Sequence, residues 1–136
     1  MRINPNMNIL IVDDDDDVIN YMRTLLRKNG YKNIHTEKDG VKAVNFVEQS
    51  YMENKKIDMI LADWEMPELD GIHFLDYLKR NADFNEIPFV MVTADSDRIH
   101  VVEAINHGVS QYLIKPFDEK KLLSKIHEVM KRKKVA

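Results

Sequence analysis

Short apolar runs alternate with longer amphipathic stretches along the whole chain. Ile9-Leu10-Ile11-Val12 is rich in β-branched side chains and stops abruptly at aspartates, the pattern of a parallel strand buried on both faces. Further strands are expected at residues 33–36, Met59–Ala62, Phe89–Thr93 and Gln111–Ile114, with His35 and Thr36 diluting the first of these. Helical spacing fills the gaps. Val18, Tyr21, Met22, Leu25 and Leu26 form one stripe, which Gly30 is placed to stop. Val41, Val44, Val47 and Tyr51 form a second, and Ile72, Leu75 and Leu78 form a third after Gly71. Ile99, Val102 and Ile105, closed by Gly108, form a fourth, and Leu122, Ile126, Val129 and Met130 form the last. Each stripe is expected to face the core.

Five strand–helix units in series predict an α/β fold: a parallel sheet with helices on both faces, since each crossover is right-handed. Ligands of such sheets bind beyond the carboxyl ends of the strands. The residues just after the apolar runs are Asp13 to Asp17, Asp63, Thr93, and Lys115-Pro116. Three carboxylates, a hydroxyl and an ammonium group therefore gather at one edge from four strands. Two like charges ~4 Å apart cost roughly 4 kcal/mol at an effective dielectric near 20. A cation relieves that cost, and an all-oxygen donor set suits magnesium or manganese. Magnesium commonly links carboxylates to a phosphate, and an ionised carboxylate is itself a nucleophile with no proton to lose. A calcium loop counted from Asp13 fails, having Val18 at the glycine position and Thr24 at the glutamate position.

Composition narrows the partners. Apolar residues make up 44% and charged residues 32%, and the net charge of -3 directs the chain to neither nucleic acid nor a membrane surface. There is no cysteine, which excludes thiol chemistry and disulfides. The N-terminus lacks the pattern of a signal peptide and no apolar run is long enough to span a bilayer, so a cytoplasmic location is expected. Asp15, Asp16 and Asp17 read as an acidic helix start, and Lys131 to Lys134 as a complement to the end of the last helix. Trp64, the methionines, and His35, His73, His100, His107 and His127 read as packing or surface residues.

Taken together, Asp13-Asp14, Asp63-Trp64-Glu65-Met66-Pro67 with Asp70-Gly71, Val92-Thr93-Ala94, and Lys115-Pro116-Phe117 resemble the response-regulator receiver family. Its single-domain, CheY-like chemotaxis branch is the most similar, and the likeness runs from about Met7 to Lys131. The resemblance implies a doubly wound, flavodoxin-like sheet with strand order 2-1-3-4-5. It also implies one receiver domain over residues 1–136, monomeric and without an output domain. Asp63 would be the phospho-acceptor. Asp13, Asp14, Asp63 and the backbone carbonyl of Glu65 would hold the metal, and Thr93 and Lys115 would contact the phosphoryl oxygens. The Lys115-Pro116 peptide would be cis. A sensor histidine kinase would be the donor, with a phosphatase as a further partner. Tyr112 would move behind the threonine. The output face would be the fourth helix, fifth strand and fifth helix, including Val101, Tyr112 and Lys125.

The chain departs from that branch at Glu65, where asparagine is common, and at Asp95, where glutamate is common. The connection around residues 49–56 is also longer. Two rival readings are a receiver-like interaction module that takes up no phosphate and a phosphohydrolase resembling the haloacid dehalogenase family. The latter would use Asp14-Asp15-Asp16-Asp17-Val18, but it lacks a later acidic pair and gives Asp63 no role.

Overall fold

The computed structural model describes residues 3–135, in which strands and helices alternate strictly. They run β1 (Asn8–Val12), α1 (Asp16–Lys28), β2 (Asn33–Glu37), α2 (Gly40–Met52), β3 (Met59–Ala62), then α3 (Gly71–Arg80), β4 (Phe89–Thr93), α4 (Arg98–Asn106), β5 (Gln111–Ile114) and α5 (Glu119–Val135). All neighbouring strands are parallel, in the order β2-β1-β3-β4-β5. The order reverses between β1 and β3, which opens a crevice at their carboxyl ends. Among the described residues, no helix is long and apolar enough to cross a membrane.

The central strands are apolar at every position because each successive side chain enters a different core. Ile9 and Ile11 join Met22 and Leu26 of α1 and Leu122 and Ile126 of α5. Leu10 and Val12 join Val47 of α2 and Phe74 and Leu75 of α3. Burying one such side chain fully contributes ~1.5–3 kcal/mol. The edge strand β2 is half-buried throughout, which explains its diluted sequence.

Local chemistry marks the helix ends. Asp15 caps α1 by accepting from the Asp17 N–H, with Asp16 and Asp17 in the first turn, as expected of an acidic start. Gly30, at φ 97°, ends α1: its N–H donates to the Arg27 carbonyl, and the Tyr31 N–H donates to that of Leu26. Gly108 repeats this arrangement after α4. The basic run expected to complement α5 lies, beyond Lys131, outside the described side chains.

Three helical stripes differ from the expectation. On α1 the inward residue is Ile19; Tyr21 lies at the rim, its hydroxyl donating to the Phe117 carbonyl at 2.9 Å. On α2 the buried row is Gly40, Ala43, Val47 and Ser50, whereas Val41 and Tyr51 are exposed. Close approach is the cause: a Cβ on Gly40 would lie 2.1 Å from the Leu69 carbonyl oxygen, so small residues must face inward. On α4 the expected core stripe points outward. Ile99, Val102 and Ile105 are 75%, 48% and 58% exposed, and Ala104 is the one buried residue.

Candidate functional site

The crevice is built from four strand ends. Asp13 follows β1 and is 1% exposed; Asp63 follows β3, its N–H donating to the Val12 carbonyl at 2.9 Å. That bond carries the strand pairing one residue past the sheet and sets the two carboxylates side by side. Carboxylate oxygens of Asp13, Asp14 and Asp63 all lie within 4.8 Å of one another.

Gly71 makes this edge possible. A Cβ there would lie 2.3 Å from the Asp63 carbonyl oxygen, and the Gly71 N–H donates to the Trp64 carbonyl at 2.7 Å. Asp70 caps α3 beside it, accepting from the His73 N–H at 2.9 Å.

Lys115, just past β5 and joined to Pro116 by a cis peptide, reaches across the crevice. Its Nζ donates to Asp13 Oδ2 at 2.7 Å and to Asp63 Oδ2 at 3.0 Å. Burial alone would lower the Lys115 pKa, but its bonds to the two aspartates outweigh it and hold the ammonium above its ordinary range. Burial pushes the Asp13 carboxyl up, countered in part by Lys115 and by the Asp15 N–H.

One ammonium cannot satisfy both carboxylates. Asp63 Oδ1 is buried and, among the described residues, has no hydrogen-bond partner. A buried acceptor in that state costs ~1–3 kcal/mol, more when charged. A hard divalent cation coordinated by oxygen would satisfy this atom and neutralise the trio, so the residues present fit such an ion.

Thr93 closes the fourth side. It is 3% exposed, and its Oγ1 accepts from the Asp95 N–H at 3.3 Å. Tyr112 of β5 donates its hydroxyl to the Asp95 carbonyl at 2.6 Å. Burial, then Asp95, Asp63 and Asp97, pushes the Tyr112 phenol up to about 12, so it stays protonated and a donor. The sequence-predicted residues Asp13, Asp14, Asp63, Thr93 and Lys115 thus meet at one crevice. Glu65 is exposed beside it, on the wall of an adjoining cavity of about 710 Å³. Val101 and Lys125 lie away from the crevice on α4 and α5, Lys125 donating to Gln111 Oε1 at 3.3 Å.

Sequence reading missed His100. Its Nδ1 meets Asp95 Oδ2 at 2.5 Å, and its ring lies 5.6 Å from that of Trp64. The acid five residues before it was the available signal, but that spacing crosses a loop into α4 and matches no helical period. His73 and His107 are likewise paired, with Asp70 and Asp76.

The family model described as the response regulator receiver domain matches residues 9–127. Chemotaxis protein CheY-3 of Vibrio cholerae serotype O1 is 32% identical over 130 residues, covering 96% of each chain. Chemotaxis protein CheY of Pseudomonas aeruginosa is 32% identical over 126 residues, covering 93% of this chain and 98% of its own. The crystal structure of the signal receiver domain of a signal transduction histidine kinase from Syntrophus aciditrophicus superposes with a TM-score of 0.79 at 28% identity, covering 92% of this chain and 90% of that one.

Proposed function

The chain belongs to the response regulator receiver family, and from that premise we propose that it accepts a phosphoryl group on Asp63 from the phosphohistidine of a sensor kinase. An Asp63 carboxylate oxygen bonds to phosphorus while the bond from phosphorus to the donor's imidazole nitrogen breaks. The imidazole leaves with the electron pair and takes up a proton. The product on this chain is an aspartyl phosphate, an acyl phosphate open to hydrolysis.

Lys115 turns its ammonium from the two carboxylates to a phosphoryl oxygen, and the Thr93 hydroxyl donates to another. Each charge-assisted bond contributes ~1.5–3 kcal/mol. Asp13, Asp14, Asp63 and the Glu65 carbonyl would hold magnesium, or manganese in its place. When bound, the ion supplies positive charge against the carboxylates and the transferring oxygens. The observation that carries this reading is the triad of carboxylates around a buried, unpartnered Asp63 oxygen, with one lysine bridging two of them.

Thr93 turning to the phosphoryl group draws on the segment that also holds Tyr112, and so reaches the α4–β5–α5 face. That face, with Val101, Tyr112 and Lys125, is the proposed dock for a downstream protein. Similarity to chemotaxis proteins supports a part in motility control. The first test is intact mass after incubation with acetyl phosphate and magnesium. The parent gains one phosphate and Asp63→Asn gains none. An unchanged parent favours the interaction-only module, and a variant that gains the same mass refutes Asp63 as the acceptor.

A further inference from the structure

Asp95 is a junction with four attachments. Its N–H is bonded to Thr93 Oγ1, its carbonyl accepts from Tyr112, and its Oδ1 accepts from the Asp97 N–H at 2.9 Å. Its Oδ2 meets His100 Nδ1 at 2.5 Å. The carboxylate has no proton to give, so the ring donates through its Nδ1–H. His100 stands in the first turn of α4. Its ring also lies 5.6 Å from that of Trp64, the residue after Asp63, at a tilt of 53°. Trp64, Asp95 and His100 also line the cavity beside the crevice, together with Asp14 and Glu65. A single imidazole therefore ties the loop after β4 to the loop after β3 across the mouth of the site.

We propose that His100 is a positioning residue: it holds Asp95 against α4 and Trp64, and thereby sets how long Asp63 stays phosphorylated. The inference rests on the acceptor role proposed for Asp63. With the Asp95 carboxylate engaged by the imidazole, the loop that follows Thr93 is fixed and the acid is kept from acting on water in the cavity. In hydrolysis a water oxygen bonds to phosphorus and the bond from phosphorus to the Asp63 oxygen breaks. Asp63 regains its carboxylate. Inorganic phosphate keeps one proton of the water and the other is released. A freed Asp95 accepts that released proton in passing, and a loosened loop holds Thr93 less firmly against the phosphoryl oxygens. Both effects hasten the loss of phosphate.

Two variants separate the hydrogen bond from the ring. His100→Asn places an amide N–H near the Nδ1 position and drops the ring, whereas His100→Phe keeps a ring over Trp64 and drops the donor. The full chain is phosphorylated with acetyl phosphate and magnesium, the donor is removed, and the decay of the phosphorylated mass is followed. His100→Phe is expected to shorten the half-life about threefold or more, toward the lower end of effects from removing one member of a coupled network. His100→Asn restores the half-life to near that of the parent. If His100→Phe decays at the parent rate, or both variants decay equally fast, the proposal is overturned. A parent that never gains phosphate on Asp63 refutes the acceptor reading instead, so the two failures are distinct.

Discussion

Tyr112 shows how one residue joins the site to its surroundings. The unfolded chain loses a tyrosine proton near 10, whereas Tyr112 and Tyr77 are held to about 12, each first by burial and then by nearby carboxylates. Folding keeps these protons, so the stability they contribute is complete below about pH 10 and is lost as the pH rises through about 12. Unfolding midpoints should therefore fall across that window, less steeply in Tyr112→Phe, while the tyrosinate absorbance of Tyr112 itself appears late in the folded protein. If the tyrosinate absorbance lost from the folded parent on Tyr112→Phe substitution titrates near 10, the placement of Tyr112 is contradicted. At this scale the polar and charged residues of the crevice were legible, because Asp13, Asp14, Asp63, Thr93 and Lys115 all stand at the ends of apolar runs. His100 was not. Its partner Asp95 lies across a loop boundary, and only the turn between β4 and α4 brings the two together.

Among the elements, strands were easier to read than helix faces. A strand buried on both sides announces itself by unbroken apolarity, as in β1, β3 and β4. A helix must also show which side faces inward, and hydrophobicity alone misplaced that side on α2 and α4. On α2 the tight approach to Leu69 demands glycine at position 40 on the inner side, where Ala43 is also buried and Val41 is not. On α4 the inner side is small or polar, with Ala104 buried and His100 and His107 paired to acids. The branched residues Ile99, Val102 and Ile105 are left facing out. Ile99→Asp should accordingly change unfolding free energy by no more than ~0.5 kcal/mol. Leu75→Ala in the fully buried row of α3 should cost ~2–5 kcal/mol. Denaturant titration distinguishes them, and a similar cost for both would overturn the outward assignment of α4. The same Ile99→Asp change is expected to weaken docking of a downstream protein on this face.

For the molecule as a whole, the crevice sits at the seam where the two halves of the sheet diverge, so an ion there ties both halves together. A ligand that binds only the folded state adds ~2.7 kcal/mol at one hundred times its dissociation constant. For a chain of this size that raises the melting midpoint by several degrees. Magnesium should produce that rise in the parent and chelation should abolish it. Asp13→Asn should respond weakly, and an equal rise in that variant would exclude Asp13 as a ligand. The strand order and the placement of the crevice followed from sequence and family likeness, whereas the unequal firmness of its two banks did not. On the β3 side, the start of α3 is pressed against the Asp63 backbone so closely that even a methyl group finds no space at Gly71. On the β4 side, α4 rests on one buried alanine and a set of polar ties. A phosphoryl group on Asp63 would thus meet an anvil on one flank and only polar ties on the other, which would give the proposed response a direction before any partner arrives.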